Sequence, residues 1–221
     1  MKVILFGATG MVGQGVLREC LRAPEVEFIL AVGRTATGLK DGKLRDLIHE
    51  DFLDLTAIEG DLSGFDTCFF CLGVSAAGMS EEVYYRVTHD ITLTVANTLV
   101  KMNLGMTFIY VSGTGTDSTE QGHTMWARVK GKTENDLLSL PFKAAYMFRP
   151  GYIQPLHGIV SKTKLYRILY TVSGPIYPLL NRLVPDYVTT TEKVGRAMIA
   201  VALRGSPKRL LENKDINRLA E

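Results

Sequence analysis

Charge of one sign is what this chain most plainly lacks. Its 25 basic and 23 acidic residues leave a net charge of +2 over 221 residues. The charges are scattered, so a solvated surface is expected and the basic footprint of a nucleic-acid binder is missing. Long hydrophobic runs are missing too, since no stretch approaches the roughly 20 uninterrupted apolar residues of a membrane span. The opening MKVILFG has no charged region, apolar stretch and small-residue cleavage site of an export signal. Cysteine is scarce at three residues, as suits a reducing compartment. These absences give a cytoplasmic location as the expectation. His49, His89, His123 and His157 are dispersed without a ligand-like spacing, so no metal site is expected. Cys68 and Cys71 do form a C-x-x-C. Because DTCFFCLG reads as a buried strand, the two thiols should point to opposite faces and serve as small core residues.

What is present is 46% hydrophobic content, ample for one core and short for two, so residues 1–221 are expected to form one domain. Nearly continuous apolar runs predict strands at Lys2–Phe6, Val26–Val32, Leu47–Asp51, Thr67–Cys71, Thr107–Ser112, Ala144–Phe148 and, weakly, Arg209–Leu211. Helical patterns lie between them at Met11–Arg22, Glu81–Asn103, Met125–Ser139 and Thr191–Leu203. In the second of these, Val83, Val87, Ile91, Val95 and Leu99 recur every four residues and predict one apolar face. Such alternation means an α/β doubly wound parallel sheet, the Rossmann fold. Thr114–Thr124, rich in Gly, Thr and Ser, follows a strand end and suits a functional loop. Gln154–Thr190 holds four of the eight prolines among many apolar residues. It reads as a small substrate-covering insertion with one or two helices. Within it, Lys162–Leu183 offers a basic amphipathic alternative at a membrane surface, but its prolines favour a pocket lid.

Gly7-Ala8-Thr9-Gly10-Met11-Val12-Gly13 follows a strand and opens a helix, the context a G-x-x-G-x-x-G dinucleotide turn requires. Gly7 permits the tight turn, Gly10 lets backbone approach a pyrophosphate, and Gly13 allows close helix packing. The helix start supplies N–H groups to phosphate. Thr9, Met11 and Val12 belong to the same stretch. The second strand ends in Gly33-Arg34-Thr35, where an NAD enzyme usually places an acidic residue on the ribose. Arg34 suits a 2′-phosphate and Thr35 adds a hydroxyl, so NADP(H) is expected over NAD(H). Asp51 and Phe52 should end the third strand beside an adenine. Cys71, Leu72 and Gly73 should leave room at the end of the fourth.

GATGMVGQGVL, FFCLGVS, YRVTHD, YVSGTG, WARVKGKTEN and MFRPGYI, spread over about residues 1–155, resemble the atypical short-chain dehydrogenase/reductases. They resemble above all the NmrA-like and nucleoside-diphosphate-sugar-epimerase-like members, including the Tat-interacting-protein oxidoreductase family. The resemblance implies a catalytic Ser at Ser112 and a Lys at Lys130, which binds the nicotinamide ribose. It places the catalytic Tyr where this chain has Trp126. An indole N–H donates a hydrogen bond but does not ionise near neutral pH, so Trp126 is neither useful acid nor base. His123, Tyr84, Tyr85 and Tyr152 are the substitute proton donors on offer. Pro150, Gly151, Tyr152 and Ile153 match the family's stretch beside the nicotinamide carboxamide, where backbone N–H and C=O groups bind.

Two functions therefore stand open. One is an NADP-dependent oxidoreductase acting on a small-molecule substrate without the usual Tyr. The other is a non-catalytic NADP(H)-binding redox sensor with a protein partner. Sugar-nucleotide epimerisation ranks lower, because it needs the Tyr and usually a larger C-terminal domain.

Overall fold

A computed structural model describes residues 1–159, 177 and 182–221. The expected lid and membrane segment over Lys162–Leu183 lies almost wholly outside the described residues. So does most of the expected insertion.

Seven parallel strands form the main sheet: β1 (Lys2–Phe6), β2 (Phe28–Gly33), β3 (Leu44–Ile48), β4 (Thr67–Phe70), β5 (Thr107–Val111), β6 (Ala144–Arg149) and β9 (Leu210–Glu212). Their order is β3-β2-β1-β4-β5-β6-β9, with a switch point between β1 and β4 where a cleft opens at the strand ends. This is the doubly wound α/β fold that the alternation predicts. Two short strands, β7 (Tyr152–Gln154) and β8 (Val188–Thr190), pair in a separate small parallel sheet.

Helices α1 (Met11–Arg22), α5 (Thr191–Arg204) and α6 (Asn213–Leu219) cover one face. There Val16, Leu17, Cys20, Val194 and Met198 pack against Val3, Leu5 and Ala31 of the strands. The opposite face packs Ile4, Phe6, Val32 and Phe70 against Val95, Leu99 and Leu137 of α3 (Ile91–Met102) and α4 (Met125–Ser139). Cys68 lies in this second layer while Cys71 packs against the first, as the strand period requires. Helices α1 and α5 approach closely: a Cβ on Gly15 would stand 2.5 Å from the Thr191 side chain.

Besides the short β7 and β8, which the sequence did not announce, three elements depart from the sequence expectation. β3 ends at Ile48 rather than Asp51. As an edge strand with one neighbour it is only half buried, so it does not present the continuous apolar run sought in the sequence. The helix expected over Glu81–Asn103 is broken into α2 (Glu81–Tyr85), a π-helical turn (Arg86–Asp90) and α3. The wider turn shifts the helical phase. Tyr84, Thr88 and Thr92 consequently face inward, and Val83 is left 50% exposed. Finally, α6 was not anticipated, although the reciprocal Glu212–Asp215 capping box is a helix-start signature.

Candidate functional site

β1 delivers the chain into Gly7 at φ +82°, where a Cβ would stand 2.7 Å from the Cys71 carbonyl. The Gly10 N–H donates to the Gly7 carbonyl at 2.9 Å and closes the turn. A Cβ on Gly13 would come within 2.0 Å of the Gly7 oxygen, whereas one on Gly10 meets nothing nearer than 3.3 Å. Gly7 and Gly13 therefore answer to packing, and Gly10 leaves its outer side open. No side chain caps α1 at Gly10, so the first-turn amides remain for an outside acceptor.

Over this turn lies a pocket of about 370 Å³. Its wall brings together Gly7, Thr9, Arg34, Thr35, Phe52 and Leu72, all singled out from the sequence. Gly10, Met11, Val12 and Gly13 form the turn and helix start beside it, with Met11 and Val12 packing against the α1-side core. Asp51 does not join the wall. It is exposed in the turn after β3, where its Oδ1 accepts the Leu53 N–H at 2.9 Å. Cys71 supports Gly7 from behind, and burial pushes its thiol up to about 12. Gly73 is exposed with no atom near its Cα side.

The pocket also contains Thr37 and Asp46, which sequence reasoning missed. The Asp46 carboxylate accepts the Thr37 N–H at 3.1 Å and the Thr37 hydroxyl at 2.9 Å. One signal was there: an acidic residue inside the otherwise strand-like LRDLI.

Beyond β5, α4 sets Trp126 one turn before Lys130. The Lys130 ammonium donates to the Ser112 main-chain carbonyl. Burial lowers Lys130 to about 8, against an opposing pull from Glu134. Lys130 and Ser112 thus meet, but through backbone. The Ser112 side chain is 7% exposed and lies within bonding reach of Glu134 and of the Phe148 carbonyl. The Ser112 hydroxyl, expected to face a pocket, is turned here into the interior. Glu134 is fully buried, and Arg149 clamps it, with Nε 3.1 Å from each carboxylate oxygen. Arg149 also reaches Ser118 at 2.6 Å and Glu212 at 3.3 Å. Both members of this ion pair sat in the quoted motifs, Glu134 in WARVKGKTEN and Arg149 in MFRPGYI, without an assigned role.

Trp126 is half-buried, and its ring lies 3.4 Å from where a Gly115 Cβ would be, at a φ of +87° that favours glycine. Of the substitute donors, Tyr84 is core. Tyr85 stacks on His89 with centroids 4.3 Å apart, and burial raises its phenol. Tyr152 donates to Gln154 at 2.7 Å, and His123 is exposed in the loop. The stretch expected beside a carboxamide already makes bonds within the fold. The Pro150 carbonyl already accepts the Thr114 N–H at 2.9 Å, and the Gly151 N–H already donates to Asn213 at 2.9 Å. Tyr152 and Ile153 are registered against Val188 and Thr189 of β8. The Gly151 N–H is thus taken by Asn213, while the outer edge of β7 has no strand beside it among the described residues.

No family model matches the chain. The mitochondrial protein FMP52 of Meyerozyma guilliermondii is 26% identical over 212 residues, covering 92% of this chain and 86% of that one. The mitochondrial FMP52 of Eremothecium gossypii is 24% identical, covering 100% and 98%. Among solved structures, a short-chain dehydrogenase family protein from Francisella tularensis superposes with a TM-score of 0.66 at 12% identity, covering 93% of this chain and 92% of that one. The Bordetella bronchiseptica enzyme WbmF in complex with NAD+ gives 0.68 at 15% identity, covering 98% and 76%. The fold is that of short-chain dehydrogenases and their epimerase-like relations. The finer likeness to Tat-interacting oxidoreductases is not the one these relatives display. The cytoplasmic expectation is contradicted by the relatives, whose names place them in the mitochondrion.

Proposed function

We propose that this chain binds a nicotinamide adenine dinucleotide, NADP(H) in preference to NAD(H), and acts as an oxidoreductase on a small molecule without the usual catalytic tyrosine. The observation that carries the reading is Arg34. It is exposed at the wall of a pocket that begins on the glycine turn. Among the described residues it has no hydrogen-bond or ion-pair partner. A guanidinium left open beside a phosphate-cradling turn suits a 2′-phosphate, and Thr35 adds a hydroxyl donor. Gly10 and the open amides of α1 serve the pyrophosphate, Phe52 and Leu72 the adenine, and Lys130 the nicotinamide ribose. WbmF, which shares the fold, is in complex with NAD+. The relatives' names support a mitochondrial location.

When bound, the dinucleotide would supply hydride. This chain's own share of the chemistry is positioning by Lys130 and closure by Trp126, with the proton coming from water or His123. A second reading, a redox sensor that binds NADP(H) without turnover, is favoured by two observations. Trp126 stands at the acid position, and the Ser112 hydroxyl is committed to Glu134 and Phe148.

Fluorescence titration with NADPH, followed by NADPH consumption with a panel of carbonyls and quinones, separates the two. An oxidoreductase consumes NADPH with at least one substrate, and Trp126→Tyr keeps or raises the rate. Tight binding with no consumption by either protein would overturn catalysis in favour of the sensor.

A further inference from the structure

The second strand lacks the acidic residue that commonly binds an adenosine ribose, and the structure supplies one from the neighbouring strand. Asp46 stands on β3 in register with Ala31 of β2. Residues paired across parallel strands share a face, and Ala31 belongs to the core layer beneath α1. Asp46 is therefore on the α1 side, at the level of the loop that follows β2. A second cavity of about 640 Å³ runs along α1 from there and shares Ala8, Thr9, Thr35 and Thr37 with the first. These shared residues join the two cavities on the α1 side of the 34–37 loop.

Arg34 and Asp46 are the two charged residues on the wall of the 370 Å³ pocket, and they do not pair with each other. Asp46 instead takes two neutral donors from Thr37. Its negative charge thus has no cation partner among the described residues. Each carboxylate oxygen has about two acceptor sites and uses one here, so both retain capacity for a further donor. A ribose bearing free hydroxyls offers such donors. A ribose bearing a 2′-phosphate gives up one of those donors and brings a like charge.

We propose that Asp46 sets the cofactor choice of this pocket, weakening the hold of Arg34 on a 2′-phosphate and accepting ribose hydroxyls, so that the protein takes NADH as well as NADPH. The proposal rests on the dinucleotide reading above and refines it. Asp46 has a second task, tethering the 34–37 loop through Thr37, and the test must separate charge from tether.

The measurement is fluorescence titration of NADPH and NADH against the wild type, Asp46→Asn and Thr37→Val. Asp46→Asn removes the charge and keeps one acceptor for Thr37. It should tighten NADPH by about tenfold, the order expected for one charge near a protein surface, with NADH unchanged or weaker. Thr37→Val keeps the charge and removes the side-chain tether, so it should weaken both cofactors alike. Should Asp46→Asn melt below the assay temperature, Asp46→Ser repeats the test with a small acceptor in place. An NADPH-to-NADH ratio unmoved by loss of the charge would overturn the role of Asp46 while leaving dinucleotide binding intact. Failure of the wild type to bind either cofactor would overturn the dinucleotide reading, and this proposal with it.

Discussion

Ser112 turns its hydroxyl onto the carboxylate of Glu134, which is fully buried. That contact moves the serine from the expected chemistry into the frame that holds β5, β6 and α4 together. The frame is an ion pair, Glu134 with Arg149, and the Arg149 guanidinium is held above its ordinary value by the carboxylates of Glu134 and Glu212 despite burial.

Breaking that pair from one side strands a buried charge, which costs about 3–5 kcal/mol. Arg149→Met should therefore lower the urea midpoint strongly. The double variant Arg149→Met/Glu134→Leu should recover most of the loss, since an apolar replacement of both partners is often neutral. Equal destabilisation by the single and double variants would show that the guanidinium's packing, not the charge, is what matters.

Lys130 gives a pH dependence of known sign. Burial brings its folded value to about 8, below the ordinary lysine value of 10.5. Between those values the unfolded chain holds the proton and the folded chain does not. Stability from this group therefore rises with pH from about 8 to 10.5 and is flat on either side. NMR of the ¹³C-methylated lysines should show one resonance titrating near 8, and Lys130→Met should remove it. A set titrating together at the ordinary lysine value would contradict the burial argument.

The three turn glycines should separate into two behaviours. Gly13→Ala drives a Cβ to 2.0 Å from the Gly7 backbone oxygen, where nothing flexible can yield, so thermal unfolding should move down sharply. Gly10→Ala meets only a 3.3 Å contact. It should hold the melting temperature to within about 4 °C yet weaken NADPH, because it fills the side open to phosphate. Equal loss of stability in both would remove the distinction between packing and ligand roles.

How far all this could be read from residues varies along the chain for physical reasons. β1, the glycine turn and α1 were legible to the residue, because an apolar run, three spaced glycines and a helical period agree there. β3 was misplaced by about three residues because an edge strand buries only part of itself. The phase of the second helix was lost at the π turn, where local spacing carries no sign of the extra residue per turn. Of the pocket wall, Arg34, Thr35, Phe52 and Leu72 follow from topology. Asp46 does not, since it reaches the pocket only through the sideways register of β3 on β2. The role of Ser112 could not be read either, because its partner Glu134 is 22 positions away.

Arg34, in the pocket above Gly7, is proposed to read a 2′-phosphate. Titration of wild type and Arg34→Ala with NADPH and with NADH tests it most directly. The wild type should bind NADPH more tightly than NADH. Arg34→Ala should weaken NADPH by about tenfold or more, as loss of a charged hydrogen-bond partner does, and leave NADH unchanged. Equal affinities for the two cofactors, unaltered by the substitution, would contradict it.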